Sequence, residues 1–128
     1  MTDSRHPPRG EPALRTLAMP ADANPNGDIF GGWVLSQMDL AGGVAAVERA
    51  KGRVVTVAIE AMRVHQPVYI GDLVSCYARI GKVGKTSITV HIETWAKRHR
   101  EGEPVLVTEG TYIYVAIGED RRPRPVDE

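Results

Sequence analysis

The stretch that decides the fold is PADANPNGDIFGGWVLSQMDLAGGVAAVERAKG, residues 20–52, in which a turn-rich loop leads directly into a long helix. Residues 20–32 hold two prolines, two asparagines, two aspartates and three glycines, all residues that favour turns. Residues 33–50 contain no proline, and Gly52 follows them where a capping glycine is favoured. The apolar side chains recur at spacings of three and four, as on one face of a helix: Val34, Leu35, Met38, Ala41, Ala45 and Val47. We predict a loop over residues 20–32 and a helix of about five turns over residues 33–50.

The sequence on either side of this helix predicts β-strands. A short strand is expected over residues 13–19, and four longer ones over residues 53–68, 72–83, 85–97 and 105–117. Two of them show alternation that indicates a half-buried strand: Ile88, Val90 and Ile92 in one, and Val107, Ile113, Val115 and Ile117 in the other. Short connections favour antiparallel pairing. The expected fold is therefore α+β, with one long helix packed on a five-stranded antiparallel sheet. Because one helix covers only part of a sheet face, the uncovered surface predicts an oligomer.

The length of 128 residues allows one domain with one core. Residues 1–12 are expected to form a disordered arm, residues 13–118 the domain, and residues 119–128 a polar tail whose prolines prevent regular structure. Sixteen basic and sixteen acidic side chains cancel, which argues against nucleic-acid binding through a basic surface.

No apolar run approaches the ~20 residues that cross a bilayer, and the N-terminal segment lacks the apolar run of a signal peptide. The single cysteine, Cys76, allows no disulfide within the chain, and the four histidines show no metal-binding spacing. We expect a cytoplasmic protein without membrane insertion, metal or cofactor.

Asp39 is the first candidate catalytic residue. It is the only charged residue between Asp28 and Glu48, and it lies in an apolar stretch of the predicted helix. A carboxylate there suits a general base or a nucleophile. Three small residues on its helical face are expected to leave room for a substrate: Gly42, Gly43 and Ala46. Alternatively, Asp39 is structural and the glycines only let the helix and the sheet pack closely.

The chain also resembles the YciA-type bacterial acyl-CoA thioesterases of the hotdog fold. The likeness is carried by LRTLAMPADANPNGDIFGGWVLSQMDLAG (residues 14–42), GRVVTVAIEAM (52–62), PVYIGDLVSCYARI (67–80) and VGKTSITVHIETW (83–95). It covers about residues 13–126 and includes irregular loop residues. The resemblance implies a hotdog fold, in which the sheet wraps the central helix, and hydrolysis of acyl-coenzyme A. It also implies a homo-oligomer, a trimer of dimers, with active sites between subunits.

The resemblance implies a role for Asn24, which matches the family's catalytic Asn, and for Asp39. The alternative for Asn24 is an ordinary turn residue. A backbone N–H near Gly32 is a further candidate, because a helix N-terminus presents unpaired N–H groups suited to an oxyanion. The glycine could equally provide flexibility where the loop enters the helix.

The phosphates of coenzyme A have two candidate sites. The predicted hairpin at residues 84–87 carries Lys85, Thr86 and Ser87, but Arg79 stands where a P-loop needs glycine, so no P-loop is indicated. In the tail, Arg121, Arg122 and Arg124 are suited to phosphate recognition. The alternatives are an ordinary turn and a solvated tail of mixed charge.

Two other functions remain open from the sequence. One is an acyl-CoA-binding sensor without catalysis, although the N-terminal arm is too short for a DNA-binding helical module. The other is a hotdog dehydratase, which would need a histidine near the helix, whereas none lies between His6 and His65.

Overall fold

The structure, a computed structural model, describes residues 5–98, 100 and 102–127. Its elements are β1 (Leu14–Leu17), a short 3-10 turn (Pro20–Asp22), α1 (Gly31–Ala50), β2 (Val54–Val64), β3 (Leu73–Val83), β4 (Ser87–Lys97) and β5 (Val105–Ala116). The five strands form one antiparallel sheet in the order β1-β3-β4-β5-β2. The predicted α+β architecture of one long helix on a five-stranded antiparallel sheet is confirmed.

Strand β2 lies at an edge of the sheet and pairs with β5 rather than with β3, its neighbour in sequence. Its pairing shifts register between Thr56 and Ala58 and again between Glu60 and Arg63. Ala61, in the second shift, has a φ of 51°. The outer side of β2 exposes a row of apolar side chains: Val55, Val57, Ile59 and Val64. An unpaired apolar edge of this length is a surface that native proteins normally cover.

The core lies between α1 and the sheet. Met38, Ala41 and Ala46 of the helix are fully buried, and they share one apolar cluster with Ile88, Val90 and Ile92 of β4, which confirms the alternation predicted for that strand. The alternating apolar residues predicted for the last strand divide into two pairs: Val107 and Ile117 are buried, whereas Ile113 and Val115 are only half-buried. Around the second pair the fully buried side chains are Tyr112, Tyr114 and Ala116. A tyrosine can occupy an interior position because its ring is largely apolar and its hydroxyl needs only one partner.

The C-terminal end of α1 differs from the expected glycine cap. Lys51, not Gly52, takes the left-handed conformation, with a φ of 55°. A Cβ on Gly52 would lie 2.6 Å from the Arg124 guanidinium, whose Nη2 donates a hydrogen bond of 2.7 Å to the Ala50 carbonyl. Gly52 therefore makes room for an arginine that caps the helix.

The segments outside the predicted domain form no helix or strand over their described residues. In residues 119–127, Val126 is buried and its N–H donates to the Lys85 carbonyl at 2.8 Å, so this segment packs beside the β3–β4 hairpin. In residues 5–12, Arg5 forms an ion pair of 2.6 Å with Glu109. The other residues of the predicted arm and tail, 1–4 and 128, lie outside the described residues. No helix in the described part of the chain is long and apolar enough to cross a membrane.

Candidate active site

Asp39 lies half-buried in the middle of α1, at one side of an apolar groove of about 520 Å³. The helix and the first residues of β2 supply most of the groove: Leu40, Gly43, Val44, Val47, Glu48 and Val54. Thr56 and Tyr114 complete it beside the carboxylate. A carboxylate next to an apolar slot can act as a base or a nucleophile on a substrate whose apolar group binds in the slot.

One oxygen of the Asp39 carboxylate accepts two hydrogen bonds. Thr56 Oγ1 donates to Oδ1 at 2.6 Å. The Tyr114 hydroxyl is shared between Oδ1 at 3.0 Å and the Asp39 backbone carbonyl at 2.8 Å. No described residue bonds to the other oxygen, Oδ2. The carboxylate is therefore held by one oxygen and available through the other.

Tyr114 remains a hydrogen-bond donor throughout the physiological pH range. Burial, together with the nearby charge of Asp39, raises the pKa of Tyr114 well above its ordinary value. Tyr112 is also buried, and the same two causes raise its pKa. Both hydroxyls therefore keep their protons when the carboxylate is charged.

The two helix glycines near Asp39 have different roles. A Cβ on Gly42 would overlap the Tyr114 hydroxyl and lie 2.7 Å from Ile92 Cδ1, whereas a Cβ on Gly43 would meet nothing within 4 Å. Ala46 is fully buried against the sheet. The expectation that all three small residues leave room for a substrate was therefore wrong for Gly42 and Ala46, which let the helix pack closely on the sheet. Only Gly43 lines the groove.

The side chain of Asn24 organises its own loop. Its Oδ1 accepts hydrogen bonds from the N–H groups of Asn26 at 2.9 Å and Asp28 at 3.1 Å, which is an Asx-turn. Its amide NH₂ has no partner among the described residues. The oxygen is therefore committed to the turn, and the NH₂ group can donate to a ligand.

The N-terminus of α1 is open. The cap residue, Phe30, makes no side-chain hydrogen bond to the helix, and its carbonyl accepts from Trp33 and Val34 at 3.0 and 3.4 Å. No described backbone carbonyl accepts a hydrogen bond from the N–H of Gly31 or Gly32, and both glycines are exposed.

Asn24 and Asp39 belong to separate cavities of one chain. Asn24 and Gly31 line a cavity of about 360 Å³ together with Met62, Val64 and Pro67, and this cavity shares no lining residue with the Asp39 groove. The structure therefore unites Asp39 with Thr56 and Tyr114, but a single chain does not bring Asn24 into the Asp39 groove.

The candidate phosphate-binding residues lie at the opposite end of the sheet from the open helix N-terminus. Lys85 is exposed, and the carbonyl of Thr86 accepts from the N–H of Ala116 at 2.9 Å, which fixes the hairpin against β5. Arg121 and Arg122 are exposed in the turn after β5. A cavity of about 490 Å³ beside this turn is lined by Arg124, the third arginine of the tail, and by two cations that the sequence did not single out, Lys51 and Arg53.

Thr56 and Tyr114 are the site residues that sequence reasoning missed. Thr56 lies within a run of β-branched residues, and Tyr114 lies in an alternating strand, so neither stands out locally. The available signal was the pair Tyr112 and Tyr114, since inward-facing tyrosines require partners for their hydroxyls. In the described part of the chain no three His, Cys, Asp or Glu side chains come together as a metal site.

In comparisons with known proteins, this chain is similar in sequence and in structure to thioester hydrolases. The Thioesterase superfamily matches residues 26–103. The acyl-CoA thioester hydrolase YciA of Salmonella typhimurium is 53% identical over 129 residues, covering 98% of this chain and 97% of its own length. A hexameric thioesterase from Yersinia pestis is 51% identical with a TM-score of 0.89, covering 94% of this chain and 98% of its own. A hexameric broad specificity acyl-coenzyme A thioesterase is 45% identical with a TM-score of 0.89, covering 100% and 89%.

Proposed function

This chain belongs to the thioesterase superfamily, and from that premise we propose that it hydrolyses acyl-coenzyme A to a free acid and coenzyme A, with Asp39 as the catalytic carboxylate. The observation that supports this role most directly is the Asp39 carboxylate beside an apolar groove, held through one oxygen and unpaired at the other. The groove offers an acyl chain an apolar wall, and residues 13–118 form the catalytic domain.

Two chemical routes fit this carboxylate. As a general base, Asp39 takes a proton from water, the resulting hydroxide attacks the thioester carbon, the C–S bond breaks, and the departing thiolate recovers the proton. As a nucleophile, Asp39 attacks the same carbon, the C–S bond breaks to give a mixed anhydride, and water then hydrolyses the anhydride. A single turnover in ¹⁸O-water, with excess enzyme, distinguishes the routes: the general-base route places the isotope in the free acid, whereas attack of water on the Asp39 carbonyl of the anhydride places it in the Asp39 carboxylate.

Hydrolysis is tested by measuring free thiol released from acetyl-, octanoyl- and palmitoyl-coenzyme A. Asp39→Asn keeps the shape of the side chain but removes its basicity, and we expect kcat to fall about 10²- to 10⁴-fold. Glu103→Gln is the control, because Glu103 is an exposed carboxylate in the connection between β4 and β5 and does not line the Asp39 groove. We expect it to stay within about threefold of wild type.

Wild-type-like turnover by Asp39→Asn on all three substrates would refute the role of Asp39. Tight binding of acyl-coenzyme A by the wild-type protein without thiol release would instead support a sensor.

The active site is completed, in this proposal, by a second copy of the chain. Support comes from the separate cavities of Asn24 and Asp39 and from the exposed apolar residues of α1 and β2. A neighbouring subunit then supplies the Asn24 amide, which positions the thioester carbonyl, and the N–H near Gly32, which stabilises the oxyanion. Since similar proteins are hexamers, we propose a trimer of dimers of about 84 kDa from chains of 14.0 kDa.

Subunit mixing tests the shared site. Asn24→Ala and Asp39→Asn are each expected to be inactive alone. When they are co-expressed in equal amounts, we expect about a quarter of wild-type activity, because half of the dimers are mixed and each mixed dimer keeps one intact site. No recovery in mixed oligomers, verified by two different affinity tags, would show that both residues act within one chain.

For the phosphates of coenzyme A we propose Lys85, Thr86 and Ser87 of the hairpin, with Arg121 and Arg122 of the following turn. Lys85, Arg121 and Arg122 are supported by their exposure and positive charge, whereas the half-buried Thr86 and Ser87 offer hydroxyl groups next to Lys85. Lys85→Ala and Arg121→Ala with Arg122→Ala are expected to raise KM for acyl-coenzyme A with little change in kcat. Acyl-pantetheine, which lacks the nucleotide phosphates, is the control substrate, and its KM should not respond.

The cytoplasm is the proposed location. Cys76 is the only cysteine, it is buried, and burial raises its pKa to about 11, so it stays a protonated thiol. A free interior thiol fits a reducing compartment. Cell fractionation of the native protein tests this, with recovery in a membrane or periplasmic fraction as the contradicting result.

A further inference from the structure

The pairing of two strands brings two hydroxyls to the same carboxylate oxygen. Thr56 of β2 lies directly opposite Tyr114 of β5 in the sheet. Both donate to Asp39 Oδ1, at 2.6 and 3.0 Å, although they are 17 and 75 residues from Asp39 in sequence. Hydrogen bonds to a charged acceptor are roughly twice as strong as neutral ones. The sheet, rather than the helix, therefore sets the orientation of the carboxylate.

Tyr112 provides an internal comparison. Its hydroxyl donates to the Leu35 carbonyl at 2.7 Å, one helical turn before Asp39, and its ring stacks beside that of Tyr114 with centroids 6.4 Å apart. Both tyrosines are buried and both bond to a helix carbonyl. Only Tyr114 also bonds to a carboxylate. A comparison of variants at Tyr112 and Tyr114 therefore measures the effect of the hydrogen bond to the Asp39 carboxylate separately from that of the bond to the helix carbonyl.

The space for the Tyr114 hydroxyl is reserved by Gly42. Any side chain at position 42 would overlap this hydroxyl. Tyr114 itself is only 1% exposed and its hydroxyl is engaged with Asp39, so it does not serve as a donor to the substrate. Its influence on a reaction must pass through Asp39.

We propose that Tyr114 is a positioning residue for catalysis: with Thr56 it holds Asp39 Oδ1, so that Oδ2 is the atom that meets the water or the thioester. This role rests on the proposed thioester hydrolysis. Without the tyrosine hydroxyl the carboxylate can rotate, and a displacement of about 1 Å in a reacting group can cost about 100-fold in rate.

The decisive experiment compares Tyr114→Phe with Tyr112→Phe in the intact oligomer. Each variant loses one buried hydroxyl and one bond to a helix carbonyl, so both should lose similar stability in thermal melts. We expect Tyr114→Phe to lower kcat about 10- to 100-fold while KM changes less than about threefold, because groove shape is kept. Tyr112→Phe should keep kcat within about threefold of wild type.

Equal kcat values for the two variants, with wild type active and Asp39→Asn inactive, would overturn the role of Tyr114 and leave the proposed function standing. A wild-type protein that releases no coenzyme A would overturn the proposed function and this role together. These two failures are therefore distinguishable.

A second pair of variants covers the case in which Tyr114→Phe does not fold. Thr56→Val removes the other donor to Oδ1 from an exposed strand position, and Thr56→Ser restores the hydroxyl. We expect kcat to fall about tenfold in Thr56→Val and to recover in Thr56→Ser. Equal activity of these two variants would show that donors to Oδ1 do not position the carboxylate.

Discussion

The two apolar faces of α1 have opposite surroundings. The sheet-facing side carries Met38 and Ala41, which are fully buried within a single chain. The outward side carries Leu40, Val44 and Val47, which are 58%, 47% and 44% exposed. A single hydrophobic stripe would have been enough for a helix that packs only on its own sheet.

The difference teaches that the fold of one chain accounts for only half of the helix's apolar surface. The outward face must gain its cover from something else, and the groove beside Asp39 lies on that face. Core substitutions should therefore affect the chain alone, whereas outward substitutions should affect assembly and substrate binding. Three matched pairs of substitutions test this distinction.

The largest contrast is expected between Met38→Ala and Leu40→Ala. Loss of the buried Met38 side chain should cost about 2–5 kcal/mol of unfolding free energy, independently of protein concentration. The loss in Leu40→Ala should depend on protein concentration, because stability that comes from association follows mass action. Denaturant unfolding at two protein concentrations, a hundredfold apart, measures both. A concentration-independent loss of the same size in Leu40→Ala would remove the distinction between the faces.

A smaller contrast is expected between the adjacent glycines. Gly42→Ala should cost about 1–3 kcal/mol, since its methyl group would displace Tyr114 or Ile92. Gly43→Ala has open space around it and should stabilise the helix by up to about 1 kcal/mol. Thermal melts compare the two. Because Gly43 lines the groove, its variant should also raise KM for acyl-coenzyme A, and equal melting temperatures for the two variants would contradict the assignment.

The smallest contrast uses an isosteric change, Val34→Thr against Val47→Thr. Val34 is buried, so an added hydroxyl there should cost about 1 kcal/mol or more. Val47 is exposed in the single chain, and its variant should leave the unfolding of a dilute sample nearly unchanged while weakening association. Sedimentation at several concentrations detects the second effect. A Val47→Thr protein that unfolds more easily even when dilute would show that this face is already packed within the chain.

The elements of the fold could be predicted because their signals are local. The helix was expected over residues 33–50 and spans Gly31–Ala50, and the last strand was expected over residues 105–117 and spans Val105–Ala116. Proline, glycine and side-chain periodicity act within a few residues. The place of β2 beside β5 was not predicted, because pairing between distant strands leaves no mark in either sequence.

The residues of the candidate site also divide into those with a local sequence signal and those that depend on contacts between distant segments. Asp39 could be identified because a charge in an apolar helix contrasts with its immediate neighbours. Thr56 and Tyr114 could not, since only the β2–β5 register brings them to the carboxylate. Gly42 was misread for a related reason, because the atoms that fill its space belong to β4 and β5.

The two hydrogen bonds from tyrosine hydroxyls to helix carbonyls also match a repeat along the helix α1 to a repeat along the strand β5. Leu35 and Asp39 are four residues apart, a rise of about 6 Å along a helix, and Tyr112 and Tyr114 are two residues apart, about 6.7 Å along a strand. These periods nearly coincide, so α1 can lie on β5 only in discrete axial settings, and a shift of one residue would break both bonds together. Changes in the loop before the helix should therefore leave the position of Asp39 along β5 unchanged until they are large enough to break both hydrogen bonds.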